Sequence, residues 1–225
     1  ILPNVDTSTI ERLHNTEKRY KGYCFAAMGL HPTSVDNNYK ESLTEIEKQL
    51  QQHSFVAIGE IGIDLYWDKT FLQEQIFAFE QQIEWSLQYK LPIIIHMRDA
   101  YEEVVNSLRK YRNENICGIF HSFAGTAEQA EEILGLGNFK LGINGIVTFK
   151  NSGLDKTLSK IKLEDLVLET DSPYLTPTPF RGKRNETSYL SLVQKKIAEI
   201  YNVSLPEVDN ITTNNTKSIF KNIVC

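Results

Sequence analysis

Short apolar runs alternate along this chain with longer stretches of mixed polarity. The runs are Tyr23–Gly29, Phe55–Glu60, Pro92–His96, Ile116–His121, Phe139–Ile143 and Leu166–Thr170, and Ile1–Pro3 reads as the tail of one more. All are strand-sized. Between them, residues 41–51 bring Leu43, Ile46 and Leu50 to one helical face. Residues 71–89 do the same with Phe71, Ile76, Phe79, Ile83 and Leu87. Thr126-Ala127-Glu128-Gln129 pairs a capping hydroxyl with an early acid and so starts another helix. Strand–helix alternation predicts a parallel sheet. Strands that are apolar almost throughout predict a sheet covered on both faces.

The spacing of the runs narrows the fold. Ala57 to Ile94 is 37 residues, Ile94 to Ile119 is 25, Ile119 to Leu141 is 22 and Leu141 to Val167 is 26. A β/α barrel uses roughly 30 residues per unit. A glycine-rich phosphate fingerprint follows none of the runs, which argues against a dinucleotide fold. The expected class is therefore α/β, a TIM-type (β/α)8 barrel forming a single domain over residues 1–225. Seven strands are one short of a closed barrel, so the expectation includes a missing first strand upstream of Ile1 and an N-terminally incomplete domain.

Composition changes this picture little. At 225 residues, 41% hydrophobic and 24% charged, the chain is an ordinary globular one that needs no covalent staples. A net charge of −5 excludes a general polyanion coater but leaves room for a local basic patch. Apolar runs stay far below the ~20 residues of a membrane helix, so no membrane partner is expected. Cys24, Cys117 and Cys225 are distant from one another and odd in number. They fit neither a zinc motif nor a disulfide framework, and point to a reducing, cytoplasmic setting.

Candidate chemistry gathers at strand ends. Glu60, His96 and His121 end their runs, and Asp171 directly follows Leu166–Thr170. In a parallel barrel such ends share one rim, where active sites lie. Two carboxylates with two imidazoles suit Zn²⁺, Mn²⁺ or a mixed site better than Mg²⁺. Arg181, Lys183 and Arg184 put three cations in one loop after Asp171, stiffened on approach by Pro173, Pro177 and Pro179. They are candidates for phosphate binding. Arg98 is another, its alternative being an ion pair with Asp99 or Asp64. His31 either touches substrate or hydrogen-bonds at the rim. Phe123 and Tyr174 either stack on a base or pack in the core. Glu169, two residues before Asp171 on the same strand face, is an acceptor behind the ligands. His14 and His53 lie in polar, helix-like stretches at the surface.

These residues sit within longer stretches: Gly29-Leu30-His31-Pro32, Gly59-Glu60-Ile61-Gly62-Ile63-Asp64, Leu91 through Ala100, and Phe120-His121-Ser122-Phe123-Ala124-Gly125. Gly145 through Lys150, Glu169-Thr170-Asp171-Ser172-Pro173-Tyr174-Leu175, Arg181 through Glu186, and Thr212 through Asn215 followed by Phe220 continue the series. Over nearly the whole chain the sequence resembles the TatD family of metal-dependent deoxyribonucleases, among the amidohydrolase-like barrels. The resemblance implies two divalent metal ions (Zn, Mn or Mg). Glu60 bridges them, His96 and His121 complete one shell, and Asp171 serves the other together with a His-x-His pair on the first strand. That pair is not in the sequence, so one of the two sites is expected to be incomplete.

The resemblance also implies hydrolysis of DNA phosphodiesters, with Asp171 and Glu60 as catalytic residues. It implies 3'-5' exonuclease action on single-stranded or damaged DNA, a role in DNA repair or degradation, and DNA as the substrate; the sequence does not set the oligomeric state, and a monomer is the favoured one. Two alternatives remain open at this stage. One is a hydrolase of a small-molecule amide, lactone or phosphoester, because fold does not set substrate. The other is a non-catalytic relative lacking half the metal ligands.

Overall fold

The computed structural model describes residues 1–223, so Cys225 lies outside the described residues. The chain forms two compact units, Ile1–Gly118 with the segment from Phe220 onward, and Ile119–Ile219. The first unit contains β1 (Leu2–Pro3), α1 (Ile10–Arg19), β2 (Ala26–Met28), α2 (Tyr39–Gln52), β3 (Ala57–Asp64), α3 (Leu72–Tyr89), β4 (Ile93–Arg98) and α4 (Tyr101–Arg109). β5 (Cys117–Phe120) begins in it. The second unit contains α5 (Ala127–Gly135), β6 (Asn138–Ile143), α6 (Leu154–Leu158), β7 (Leu166–Leu168), α7 (Leu190–Tyr201) and α8 (Leu205–Ile219).

In the first unit β1, β2, β3 and β4 pair in chain order, all parallel. In the second, β6 and β7 are parallel partners. Each of the seven apolar runs contains a strand, and the intervening helices fall where the periodicity places them. Ile46, Phe79 and Ile83 are fully buried from the helix side, and Ile58, Ile61, Ile93 and Ile95 from the strand side. α5 begins as its sequence dictates: the Thr126 hydroxyl accepts from the Gln129 N–H, and the Gln129 side chain reciprocates on the Thr126 backbone.

Two strand ends lie further on than the apolar pattern indicates. β3 continues four residues past Glu60 to Asp64, and β4 continues past His96 to Arg98. The β3–β4 register shifts between Ile58 and Ile61, and resumes with Gly62 opposite His96 and Asp64 opposite Arg98. Gly62 makes the continuation possible: its φ is +144°, and a Cβ there would lie 1.9 Å from the His96 carbonyl oxygen. Glu60 is thus held inside a strand rather than at its tip.

No helix among the described residues is long and apolar enough to cross a membrane. Cys24 and Cys117 are free thiols, and burial pushes the Cys117 thiol above its ordinary pKa.

Candidate metal centre

Three elements of the first unit bring His31, Glu60 and His96 together. His31 caps the short 3-10 turn at Pro32–Ser34, Glu60 lies in β3 and His96 in β4. One ligand atom from each falls within 4.8 Å of the others. His96 Nδ1 is 2.8 Å from Glu60 Oε1, and His31 Nε2 is 3.4 Å from that oxygen and 3.2 Å from His96 Nδ1. The far nitrogen of His96, Nε2, lies 2.9 Å from Asp64 Oδ2. A buried carboxylate behind a ligating imidazole fixes the ring and raises its basicity.

The electrostatics follow from this geometry. Burial works to lower the His96 pKa, but the hydrogen bonds and charges of Asp64 and Glu60 outweigh it and raise the value above that of a free imidazole. Burial works to raise the Asp64 pKa, and His96 together with the Tyr66 and Trp67 N–H groups holds it below the usual carboxylate value. Two imidazoles and a carboxylate, converging and largely shielded from water, are a donor set that fits a divalent transition cation.

The backbone around the cluster is tied down by α3. Gln82 is buried; its Oε1 accepts from Leu30 N–H at 2.7 Å, and its Nε2 donates to Leu30 O at 3.2 Å. Gln75, also buried, treats Asp64 in the same way, at 2.8 Å and 3.2 Å. Each amide replaces a missing peptide partner, as buried backbone groups require. A buried Asn4 holds Gly29 O, and Val5 O accepts from His31 N–H.

The second unit carries its own imidazole–carboxylate set. His121 Nδ1 is 2.9 Å from Glu169 Oε2, and His121 Nε2 is 3.3 Å from Asp171 Oδ1. Glu169 Oε1 also accepts from Ser122 N–H. A Cβ at position 142 would meet the Glu169 carboxylate at 2.6 Å, so Gly142 is what admits it. The last strand ends at Leu168, two residues short of the Leu166–Thr170 run, and Glu169, just past that end, is the acceptor behind His121.

The basic loop is pinned through its backbone. Asn185, buried, donates to Tyr174 O, and the Thr176 hydroxyl donates to Lys183 O. Arg181, Lys183 and Arg184 are exposed; Arg181 lies 4.0 Å over the Phe149 ring and Lys183 5.7 Å from that of Phe180. Phe123 is core, whereas Tyr174 is 70% exposed. Arg98 makes no ion pair with Asp64 or Asp99; Asp64 is paired with His96, and the Arg98 guanidinium covers the Tyr66 ring. His14 is half-buried against His53 and Phe55, and hydrogen-bonds Gln49.

His31, expected either to touch substrate or to hydrogen-bond at the rim, thus stands among the possible ligands. Asp64 and the two glutamines are the residues around the cluster that the strand-end pattern passes over. Glu60, Gly62 and Asp64 at alternate positions of one strand carry the signal for Asp64.

Comparison with known proteins places the chain among metal-dependent hydrolases. The profile of the family described as TatD related DNase matches residues 1–221. An uncharacterized metal-dependent hydrolase of Bacillus subtilis, YabD, is 41% identical over 98% of this chain and 86% of its own. An uncharacterized metal-dependent hydrolase of Buchnera aphidicola is 34% identical over 95% of this chain and 84% of its own. The crystal structure of YjjV, a TatD homolog from Escherichia coli, superposes with a TM-score of 0.89 at 27% identity, over 97% of this chain and 85% of that one. The fold class is thus the α/β, TIM-type barrel class that the strand spacing predicts.

Proposed function

The chain belongs to the TatD-related DNase family of metal-dependent hydrolases, and on that premise we propose that it hydrolyses phosphodiester bonds in DNA. The observation that carries the reading is the convergence of His31, Glu60 and His96 with Asp64 behind the ring. Glu60 and His96, with His31 beside them, would hold a divalent cation. The sequence resemblance also gives ligand roles to His121, in the same shell as His96, and to Asp171, at a second ion. When bound, such ions supply Lewis acidity, which offsets charge on phosphate oxygens and eases loss of a proton from the attacking water.

The chain's own groups do the rest. Asp64 keeps a proton on His96 Nε2, so that Nδ1 faces the Glu60 carboxylate. Glu169 orients His121 through Nδ1, leaving Nε2 toward Asp171. The Asp171 side chain is 32% exposed, so its carboxylate is open to water and placed to orient it and accept its proton. Arg181, Lys183 and Arg184 engage the phosphates of the strand, steering it to an otherwise acidic protein. Exonucleolytic trimming from the 3' end of single-stranded or damaged DNA, in the service of repair, is the finer form of the proposal and follows from the family resemblance.

An end-labelled single-stranded oligonucleotide tests it. Chelator-treated protein should leave the strand intact, and Mn²⁺, Mg²⁺ or Zn²⁺ should restore stepwise shortening. Glu60→Gln should abolish that shortening, and elemental analysis of the loaded protein should find about one metal per chain, because the second position lacks its His-x-His pair. An intact strand alongside hydrolysis of a small amide, lactone or phosphoester would overturn the nuclease reading in favour of a small-molecule hydrolase.

A further inference from the structure

Beyond Asp64, at the end of β3, Leu65 is buried and its N–H donates to Arg98 O at 2.9 Å. The next two side chains turn outward. Tyr66 is 53% exposed and Trp67 is 71% exposed. Their rings stand 4.9 Å apart and perpendicular, and the Arg98 guanidinium lies 3.7 Å over Tyr66 and 5.4 Å from Trp67. Among the described residues this is the one ring–ring contact in which both partners are exposed.

The group is rigidly joined to the metal cluster. Asp64 Oδ2 meets His96, while Asp64 Oδ1 accepts from Tyr66 N–H at 3.0 Å and Trp67 N–H at 3.4 Å. Arg98 and His96 alternate on one face of β4, about 7 Å apart along the strand. A large indole is ordinarily drawn into the core, as Trp85 is here at 3% exposure. At Trp67 the ring is instead held in water by backbone hydrogen bonds to the carboxylate that orients a ligand.

We propose that Trp67 and Tyr66, braced by Arg98, are a stacking platform for an unpaired nucleobase of the strand whose phosphate lies at the cluster. The proposal rests on the nuclease reading and adds the contact by which the strand is recognised. A nucleotide matches the chemistry on both counts. Its base offers a flat π face to the indole, and its phosphate offers oxygens to Arg98, which forms no ion pair among the described residues. Stacking of this kind favours unpaired bases, whose faces are free, and tolerates any sequence.

The test compares single-stranded oligo-dT with an abasic strand of equal length. Wild-type protein should cut oligo-dT with the lower KM. In Trp67→Ala that KM should rise about tenfold, the range expected for loss of one base–aromatic stack. It should approach the abasic value, with the loss in KM rather than kcat, and Trp67→Phe should restore most of it. A second readout uses metal-loaded protein and cleavage-resistant phosphorothioate strands. Oligo-dT should quench the exposed tryptophan emission, and its abasic counterpart should not. Equal cutting of both strands by wild type, an unaltered KM in Trp67→Ala, or equal quenching by both strands would overturn the platform while leaving the nuclease intact. Failure of wild type to cut either strand would bring down the nuclease reading and the platform with it.

Discussion

Asp64 Oδ2 lies 2.9 Å from His96 Nε2, so the imidazole that faces Glu60 is held from behind by a second, buried carboxylate. Replacing Asp64 by Asn keeps an acceptor for the Tyr66 and Trp67 N–H groups and removes the charge behind the ring. Metal affinity should fall about 10- to 100-fold. Circular dichroism should show the fold intact. Competition against a chromophoric chelator measures the affinity, and an unchanged value would remove Asp64 from the centre.

The same pair sets a pH dependence for the metal-free protein. His96 is raised, so its stabilising contribution is complete below its unfolded pKa of about 6.5 and is lost as pH rises through the higher folded value. Asp64 is lowered, so its contribution is complete above about 3.9 and is lost as pH falls through the lower folded value. The pair therefore helps most between those limits. Metal needs the imidazole unprotonated, so the stability gained from the metal should grow with pH over the range in which the proton is lost. Melting temperatures from pH 5 to 8, with chelator and with metal, should diverge with rising pH. Parallel curves would contradict the assignment.

Gln82→Ala should be the costlier kind of polar-to-alanine change. It strands both backbone groups of buried Leu30, at about 1–3 kcal/mol each. Urea denaturation should show a loss of about 2–6 kcal/mol. The exposed Gln51→Ala should stay within about 0.5 kcal/mol. Equal effects from the two would show that the Gln82 clamp contributes nothing.

Substituting serine for Arg181, Lys183 and Arg184 together should raise the KM for an oligonucleotide and flatten its dependence on salt. The slope of log affinity against log salt should shrink by about 0.7 for each cation that contacts a phosphate of a single strand. Kinetics between 50 and 200 mM salt, about the range over which such contacts weaken most visibly, provide the measurement. An unchanged slope would mean that the loop does not bind the backbone.

Much of this was legible in the chain because apolar runs and helical periodicity report burial directly. The strands around Ala57, Ile94, Ile119 and Leu141 needed no more than that. In the sequence the polarity of Glu60 marks a strand end, whereas in the fold Gly62 lets the strand continue under cover of His96. Gln75 and Gln82 were invisible for a related reason. Glutamine usually lies at the surface, and only a backbone group with no partner of its own draws it inside. Trp67 escaped in the opposite sense, since an apolar ring in the sequence suggests core and says nothing of a carboxylate that holds it outside.

Gln75 and Gln82 are seven residues apart on α3, about 10.5 Å along its axis. One grips the backbone at Asp64, and the other grips the backbone next to His31. The spacing of those two points is therefore measured off by helical pitch, a length far stiffer than any loop. An ion of larger or smaller radius finds that gauge unchanged. For an ion held by His31, Glu60 and His96, discrimination would then fall to their torsion angles, so a change of preferred metal would come from substitutions that touch those rotamers while the frame stays as it is.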